Sequence, residues 1–225
     1  VGAWHQHDTD GLFESCATVA EGREDVLYVI VQRTVGGVAM RYIERQASRQ
    51  FTALADAYFV DSGGTYRGAP ATVIGGLYWL EGKTVSILAD GAVHPQRVVT
   101  GGLITLDNAA SVVTVGLPIT ADAETLPLVA SIEPSFAQGR VKNVSKVWLR
   151  VVNSSGIFAG PNVDSLVQFK QRTNEPYGTP PRLYTDEIQI DVMPSWSNDA
   201  SIIVRQSDPL PITLISMTME VAIAN

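Results

Sequence analysis

The sequence predicts an all-β protein, with a small antiparallel β-barrel-like module and a β-sandwich that follow strands of a larger sheet. Short runs rich in Val, Ile, Thr and aromatic residues recur along the 225 residues. Gly-Gly, Glu-Gly and Asp-Gly pairs interrupt these runs at close intervals, as in tight hairpins. We expect three regions: residues 1–58, 59–125 and 126–225.

Region 1–58 carries three predicted strands, at residues 12–19, 26–33 and 38–44, and Gly36-Gly37 joins the last two as a hairpin. Val29 and Val31 fall on one face and Tyr28 and Ile30 on the other. We therefore expect both faces to be covered, as in closing strands of a larger upstream β domain.

A connector should follow these strands. Phe51, Leu54, Ala55 and Tyr58 recur at helical spacing. This spacing predicts a short amphipathic helix of about three turns.

Region 59–125 contains the densest series of turn signals, at Gly75-Gly76, Gly82, Asp90-Gly91 and Gly101-Gly102, and ends in the strand-like run 111–116. The series predicts the small barrel-like module.

Region 126–225 has six strand candidates separated by turn-rich segments: 128–132, 144–152, 166–170, 187–192, 200–206 and 212–223. This arrangement favours a sandwich of two antiparallel sheets.

Composition restricts the function. The chain has 16 Lys plus Arg against 23 Asp plus Glu, a formal charge of -7, which argues against dedicated binding of nucleic-acid phosphates or anionic lipid. No apolar run reaches the roughly 18 residues that span a bilayer, so we expect no membrane insertion by this segment. Cys16 is the single cysteine, and its position in a strand-like run predicts a small buried thiol.

The segment from His5 to Asp10 is the one candidate metal site, because His5, His7, Asp8 and Asp10 offer imidazole and carboxylate ligands. Only His94 remains elsewhere as a third imidazole. A turn at Asp10-Gly11 with local backbone bonds is the preferred interpretation. We expect no metal and no cofactor.

Paired carboxylates are the candidate catalytic groups for glycoside hydrolysis: Asp186, Glu187, Asp191 and Glu133. Glu187 and Asp191 alternate with apolar residues, which indicates a solvated sheet face. The chain has no Gly-x-Ser-x-Gly elbow, phosphate loop or dinucleotide fingerprint. We therefore expect no catalytic residues and no enzyme activity.

Two further sets of side chains could bind a ligand. The basic series Arg140, Lys142, Lys146 and Arg150 could contact phosphates, but a solvated sheet edge protected by lysine is preferred. The tryptophans at positions 79, 148 and 196 could form a sugar platform, but core or subunit interface is the default expectation.

A family resemblance gives the functional hypothesis. Seven segments carry the resemblance and follow the same order over nearly the whole chain: 4–15, 41–44, 61–66, 80–85, 103–106, 115–118 and 204–211. In these segments the chain resembles tail nozzle or hub proteins of short-tailed double-stranded-DNA bacteriophages. Such proteins are also described as packaged-DNA stabilisation proteins.

The resemblance implies a structural virion protein in the phage tail, made in the bacterial host cytoplasm. It also implies that residues 1–44 are closing strands of a larger, propeller-like β domain. It implies a homo-oligomeric ring, a hexamer, that surrounds the DNA channel below the portal and helps to retain and eject packaged DNA. Its partners would be other copies of itself and neighbouring tail or portal-adaptor proteins, and DNA would only pass through the channel non-specifically.

Two alternatives remain open. One is a carbohydrate- or receptor-binding β module of a phage tail, to which the tryptophans and the loop at Tyr177 would contribute. The other is a tail-associated glycan hydrolase, which the absent motifs disfavour.

Overall fold

The computed structural model describes residues 5–129, 131–132, 135–136, 139–171, 174–176 and 178–224. These residues form sixteen β-strands and two single-turn 3-10 helices, and they contain no α-helix. Every strand pair is antiparallel, so the prediction of an all-β fold is confirmed. The chain divides into two compact units, Val1–Pro118 and Ile119–Asn225. The first unit contains predicted region 1–58 and most of 59–125.

The first unit begins with a three-stranded sheet in the order β1-β2-β3, made of β1 (Leu12–Glu21), β2 (Glu24–Val35) and β3 (Val38–Arg45). Gly36 and Gly37 join the last two strands with φ of 57° and 83°. Positive φ at both central residues is the geometry of a two-residue type I′ hairpin turn, which explains why glycine stands there. The predicted hairpin is present.

The predicted three-turn helix is wrong. Only Leu54–Asp56 forms a single 3-10 turn, and no side chain caps its N-terminus. Ala57 then returns to extended backbone (φ -65°, ψ 139°) and is fully buried. A helix this short is marginal in water without tertiary support, and here the apolar residues pack from an extended path instead.

The second sheet of the first unit has the order β4-β7-β5-β6, with β4 (Asp61–Ile74), β5 (Thr84–Ala89), β6 (Ala92–Val98) and β7 (Ile104–Leu117). The edge strands β4 and β6 do not pair with each other, so this sheet does not form a closed barrel. The β4–β7 pairing is shifted between Arg67 and Ala71, a stretch that includes Pro70, which cannot donate to a ladder. The predicted module exists, but its strands do not close into a barrel.

The second unit is a sandwich. One sheet has the order β14-β11-β16 and the other β13-β12-β15-β8. Residues of both sheets share one buried core, including Leu149 and Ile188 from the first and Ala159 and Val204 from the second. The strands are β8 (Ala121–Glu124), β9 (Ser131–Ile132), β10 (Ser135–Phe136), β11 (Lys142–Ser154), β12 (Phe158–Gly160), β13 (Val167–Gln168), β14 (Tyr184–Asp191), β15 (Ile203–Gln206) and β16 (Leu214–Ile223).

Of these strands, β8, β10 and β12 were not predicted, and β10 has only two residues. β8 reads Ala-Asp-Ala-Glu and is exposed throughout, and β12 has only three residues. None of the three carries the alternating Val/Ile/Thr pattern on which strand prediction depends.

Candidate functional site

The β1–β3 sheet, called the open sheet below, is the part of the first unit with the most exposed apolar surface. Ile43 is 78% exposed, Leu12 61% and Val38 60%, and all but the last residue of β1 are exposed. Phe13, Val19, Leu27 and Met40 are exposed as well. The strand register places Leu12, Val19 and Ile43 on one face of the sheet and Phe13, Leu27, Val38 and Met40 on the other. Exposed apolar side chains on both faces of one sheet favour a site of interaction with another protein.

Both edges of the open sheet are free. The outer edges of β1 and β3 pair with no strand among the described residues. Their ten and eight residues include no Lys and no Pro, the residues that commonly protect edges against pairing. Instead, two ion pairs cross the sheet from β1 to β3, Glu14 to Arg41 at 2.7 Å and Glu21 to Arg45 at 2.7 Å.

The prediction that both faces of these strands are covered is wrong for this chain. Val31 and Arg33 share one face of β2 and are buried, next to Gly11. Ile30 lies on the other face, directly opposite Ile43, which is largely exposed. A three-stranded sheet cannot cover its own two faces, and the segment around Gly11 reaches only one of them.

The face that carries Val31 contains a polar cluster centred on Arg33, called the Arg33 junction below. The Arg33 guanidinium donates to both carboxylate oxygens of Glu44 at 2.9 and 2.8 Å and to Asp61 at 3.3 Å. Its remaining nitrogen donates to the Asp10 carbonyl at 2.8 Å. The paired geometry with Glu44 is the bidentate fork that makes arginine–carboxylate bonds strong and directional.

Other side chains complete the junction. Thr9 Oγ1 donates to Asp61 at 2.7 Å, Ser62 Oγ donates to Glu44 at 2.9 Å, and Lys83 Nζ lies 2.6 Å from Asp10 Oδ2. The residues come from the segment before β1, from β2, from β3, from β4 and from the turn before β5. The junction therefore fixes the open sheet to the β4–β7 sheet.

Electrostatics keep the junction charged. Burial lowers the pKa of Arg33, but the Glu44 hydrogen bonds and the Asp61 charge outweigh burial, and the net pKa is raised. Burial, with Glu44 nearby, also raises the pKa of Tyr58 to about 12. The Tyr58 hydroxyl consequently stays neutral beside the carboxylates. Sequence reasoning missed this cluster, although an arginine on the Val29/Val31 face of an apolar strand was a visible signal.

The histidines lie apart from the junction. His5 and His7 stack edge to face at 4.8 Å in the exposed N-terminal segment, and Asp8 accepts a bond from Gln6. His94 Nε2 in β6 accepts from the Asp107 backbone N–H at 2.9 Å. No three His, Cys, Asp or Glu residues within the described ranges are grouped to hold a metal ion.

Two of the candidate catalytic carboxylates lie on a solvated sheet face, as predicted, and a third, Asp186, is exposed on the other side of the same strand. Glu187 and Asp191 are exposed, while Ile188, Ile190 and Val192 between and beside them are buried. Four residues along a strand separate two side chains by about 13 Å. Glycosidase pairs lie about 5 to 9.5 Å apart, so this pair does not fit. Glu133 lies outside the described residues.

The basic series does not form a sheet edge, so that prediction is wrong. Its residues lie on or just before β11, which is the central strand of its sheet. Lys142 is buried and its ammonium donates to the carbonyls of Arg140 and Asn198. The apolar residues that alternate with the basic ones fill the sandwich core, which is what makes the strand central.

Cys16 and the tryptophans have separate environments. Cys16 is exposed on β1, so the predicted buried thiol is wrong, because no layer formed by the described residues covers that edge strand. Trp79 packs against the first unit's core and its indole donates to the Ser62 carbonyl at 2.8 Å. Trp148 lies half-buried on β11, and Trp196 is 56% exposed. Tyr177 lies outside the described residues.

Comparison with known proteins adds no family to this description. The chain matches none of the protein-family models and none of the curated proteins with which it was compared. In the part of the chain that the structure describes, no helix has the length and apolar character that crossing a membrane requires.

Proposed function

We propose that this chain is a structural virion protein of a phage tail, a nozzle or hub component that forms a ring around the DNA channel and helps to retain and eject packaged DNA. It acts without catalysis, through contacts with other copies of itself and with neighbouring tail or portal-adaptor proteins. It is made in the host cytoplasm and resides in the virion. The proposal builds on the family resemblance in the sequence and on the surface of the open sheet.

The exposed open sheet is the observation that supports the proposal most. An assembly subunit must present apolar surface and bonding groups that a monomer would otherwise bury. Leu12 and Ile43 provide apolar surface on one face of the open sheet and Val38 on the other. The free edges of β1 and β3 provide unpaired backbone groups. A repeated heterologous contact closes into a ring when its rotation permits.

The Arg33 junction supplies the rigidity that such a ring needs. Four of the segments that carry the resemblance, 4–15, 41–44, 61–66 and 80–85, contribute residues to it: Asp10, Glu44, Asp61 and Lys83. A fixed angle between the open sheet and the β4–β7 sheet would fix the rotation from one subunit to the next. The acidic chain, with its formal charge of -7, would repel DNA and let it pass.

A pair of matched variants tests this proposal. Ile43→Lys places a charge in the open sheet, and Leu126→Lys makes the same kind of change at a residue that is 86% exposed outside it. In light scattering of the full-length protein we expect a ring mass for the natural protein and for Leu126→Lys, and protomers for Ile43→Lys. A protomer mass for the natural protein at all concentrations would contradict the proposal, and a ring in Ile43→Lys would exclude the open sheet as its contact.

A further inference from the structure

The outward face of the β14-β11-β16 sheet carries an ordered array of side chains around Trp148. Trp148 lies directly opposite Gln189 on β14 and Thr218 on β16. One row of the array contains Lys146 with its partners Asp191 and Glu220, and the other contains Arg150 with its partners Glu187 and Ser216. These nine residues are called the Trp148 face below.

Trp148 points away from the sandwich core. Its neighbours in the strand, Val147 and Leu149, are fully buried in that core, and side chains alternate along a strand. The Trp148 indole N–H donates no hydrogen bond to any described residue, although Trp79 satisfies its own by bonding Ser62. No buried side-chain nitrogen or oxygen of the described residues lacks a partner, so the Trp148 nitrogen reaches the surface.

Several hydrogen-bonding groups surround the indole at fixed positions. Gln189 Nε2 is oriented by a 2.9 Å bond to Asp191, and Lys146 lies 3.4 Å from Glu220. Arg150 is an exposed residue that makes no hydrogen bond or ion pair with any described residue. The face thus combines one aromatic ring, oriented polar groups and one uncommitted donor fork on a rigid sheet.

The charges decide which class of ligand fits. The outward face of β11 carries Lys146, Trp148 and Arg150 in succession. Basic residues interleaved with an aromatic residue are the combination that binds single-stranded nucleic acid. The flanking strands, however, add three carboxylates, Glu187, Asp191 and Glu220, against the two cations. A surface with this balance offers a polyanion no net attraction.

We propose that the Trp148 face binds neutral carbohydrate, an uncharged pyranose unit of an oligosaccharide. The apolar C–H face of the ring would stack on the indole, while Gln189, Arg150 and the carboxylates would bind its hydroxyl groups from the sides. An aromatic body beside polar groups suits a ligand that has one apolar face and a polar rim. This inference concerns the second unit alone and does not depend on ring assembly.

A glycan array tests the class of ligand, with neutral hexose and N-acetylhexosamine oligosaccharides compared with sialylated and uronate glycans. Binding of single-stranded DNA is measured beside it by fluorescence anisotropy. We expect binding to neutral glycans and to neither kind of anion. Calorimetry with the best neutral oligosaccharide then compares the natural chain with Trp148→Ala, Gln189→Ala and Arg150→Ala. The control is Trp196→Ala, an exposed tryptophan of the same unit.

We expect Trp148→Ala to weaken binding by about tenfold or more, as removal of one stacking partner does. Gln189→Ala and Arg150→Ala should weaken binding, and Trp196→Ala should not. Circular dichroism confirms that each variant is folded. If Trp148→Ala does not fold, the two polar variants decide, and unchanged affinity in both overturns the proposal. Absence of neutral-glycan binding, or binding of anions alone, overturns it as well. A monomeric chain that binds glycans supports this site and contradicts the ring.

Discussion

Replacing Arg33 with alanine should destabilise the first unit far more than any exposed arginine would. The Arg33 side chain is 3% exposed, and it binds Glu44 and Asp61, which are 19% and 22% exposed. Its removal leaves two partly buried carboxylates without their countercharge and the Asp10 carbonyl without its donor. Breaking a buried ion pair from one side costs about 3 to 5 kcal/mol, and the partial exposure of both carboxylates favours the lower value.

Urea denaturation, monitored by hydrogen exchange of the β2 and β4 amides, measures this loss of stability within the first unit. With a urea dependence of about 1 to 3 kcal/mol per molar, a loss of about 3 kcal/mol lowers the midpoint by about 1 to 3 M. Arg41→Ala is the matched control, because Arg41 pairs with Glu14 but is 65% exposed. We expect that variant to keep nearly the natural midpoint. Equal midpoints for Arg33→Ala and Arg41→Ala would refute the reasoning.

Three further predictions concern single residues. Burial raises the pKa of Tyr58 from 10 to about 12. The stability that its neutral hydroxyl supports is therefore present below pH 10 and is lost as the pH rises toward 12. Tyr58→Phe should remove this alkaline loss of stability, as measured by urea titrations. Burial also raises the pKa of Asp208, so its ionised form opposes folding at neutral pH. Asp208→Asn should therefore raise the urea midpoint at about pH 7, and a lower midpoint would contradict this. The difference in midpoint between the variant and the natural chain should fade below about pH 3.9, where the carboxyl is protonated in the unfolded chain as well. A Cβ at Gly116 would lie 2.7 Å from the Asp61 carbonyl oxygen and 2.6 Å from a Val60 methyl. Gly116→Ala should therefore cost about 1 to 3 kcal/mol by thermal denaturation, and an unchanged melting temperature would contradict this.

The sequence predicted the elements whose signals are local. Gly36-Gly37 identified the hairpin because only a turn with positive φ at two successive positions requires that pair. The exposed Glu187 and Asp191 followed from alternation with apolar neighbours. Such features depend on neighbouring residues alone.

Features that depend on long-range pairing were not predictable in the same way. Strand β11 is central because β14 and β16 pair on its two sides, and those partners lie tens of residues away. The Arg33 junction likewise joins segments that local patterns treat separately, from Thr9 to Lys83. The spacing of Phe51, Leu54 and Tyr58 predicted a helix that tertiary packing replaced with one 3-10 turn.

Electron microscopy of the full-length protein and of virions that contain it tests the proposed ring most directly. The account predicts annular particles of one repeated subunit, located in the tail below the portal, with the open sheet buried between neighbouring subunits. Annular density that coincides with this chain in the tail would support it. Particles with no annular assembly, or virions whose tails lack the protein, would contradict it.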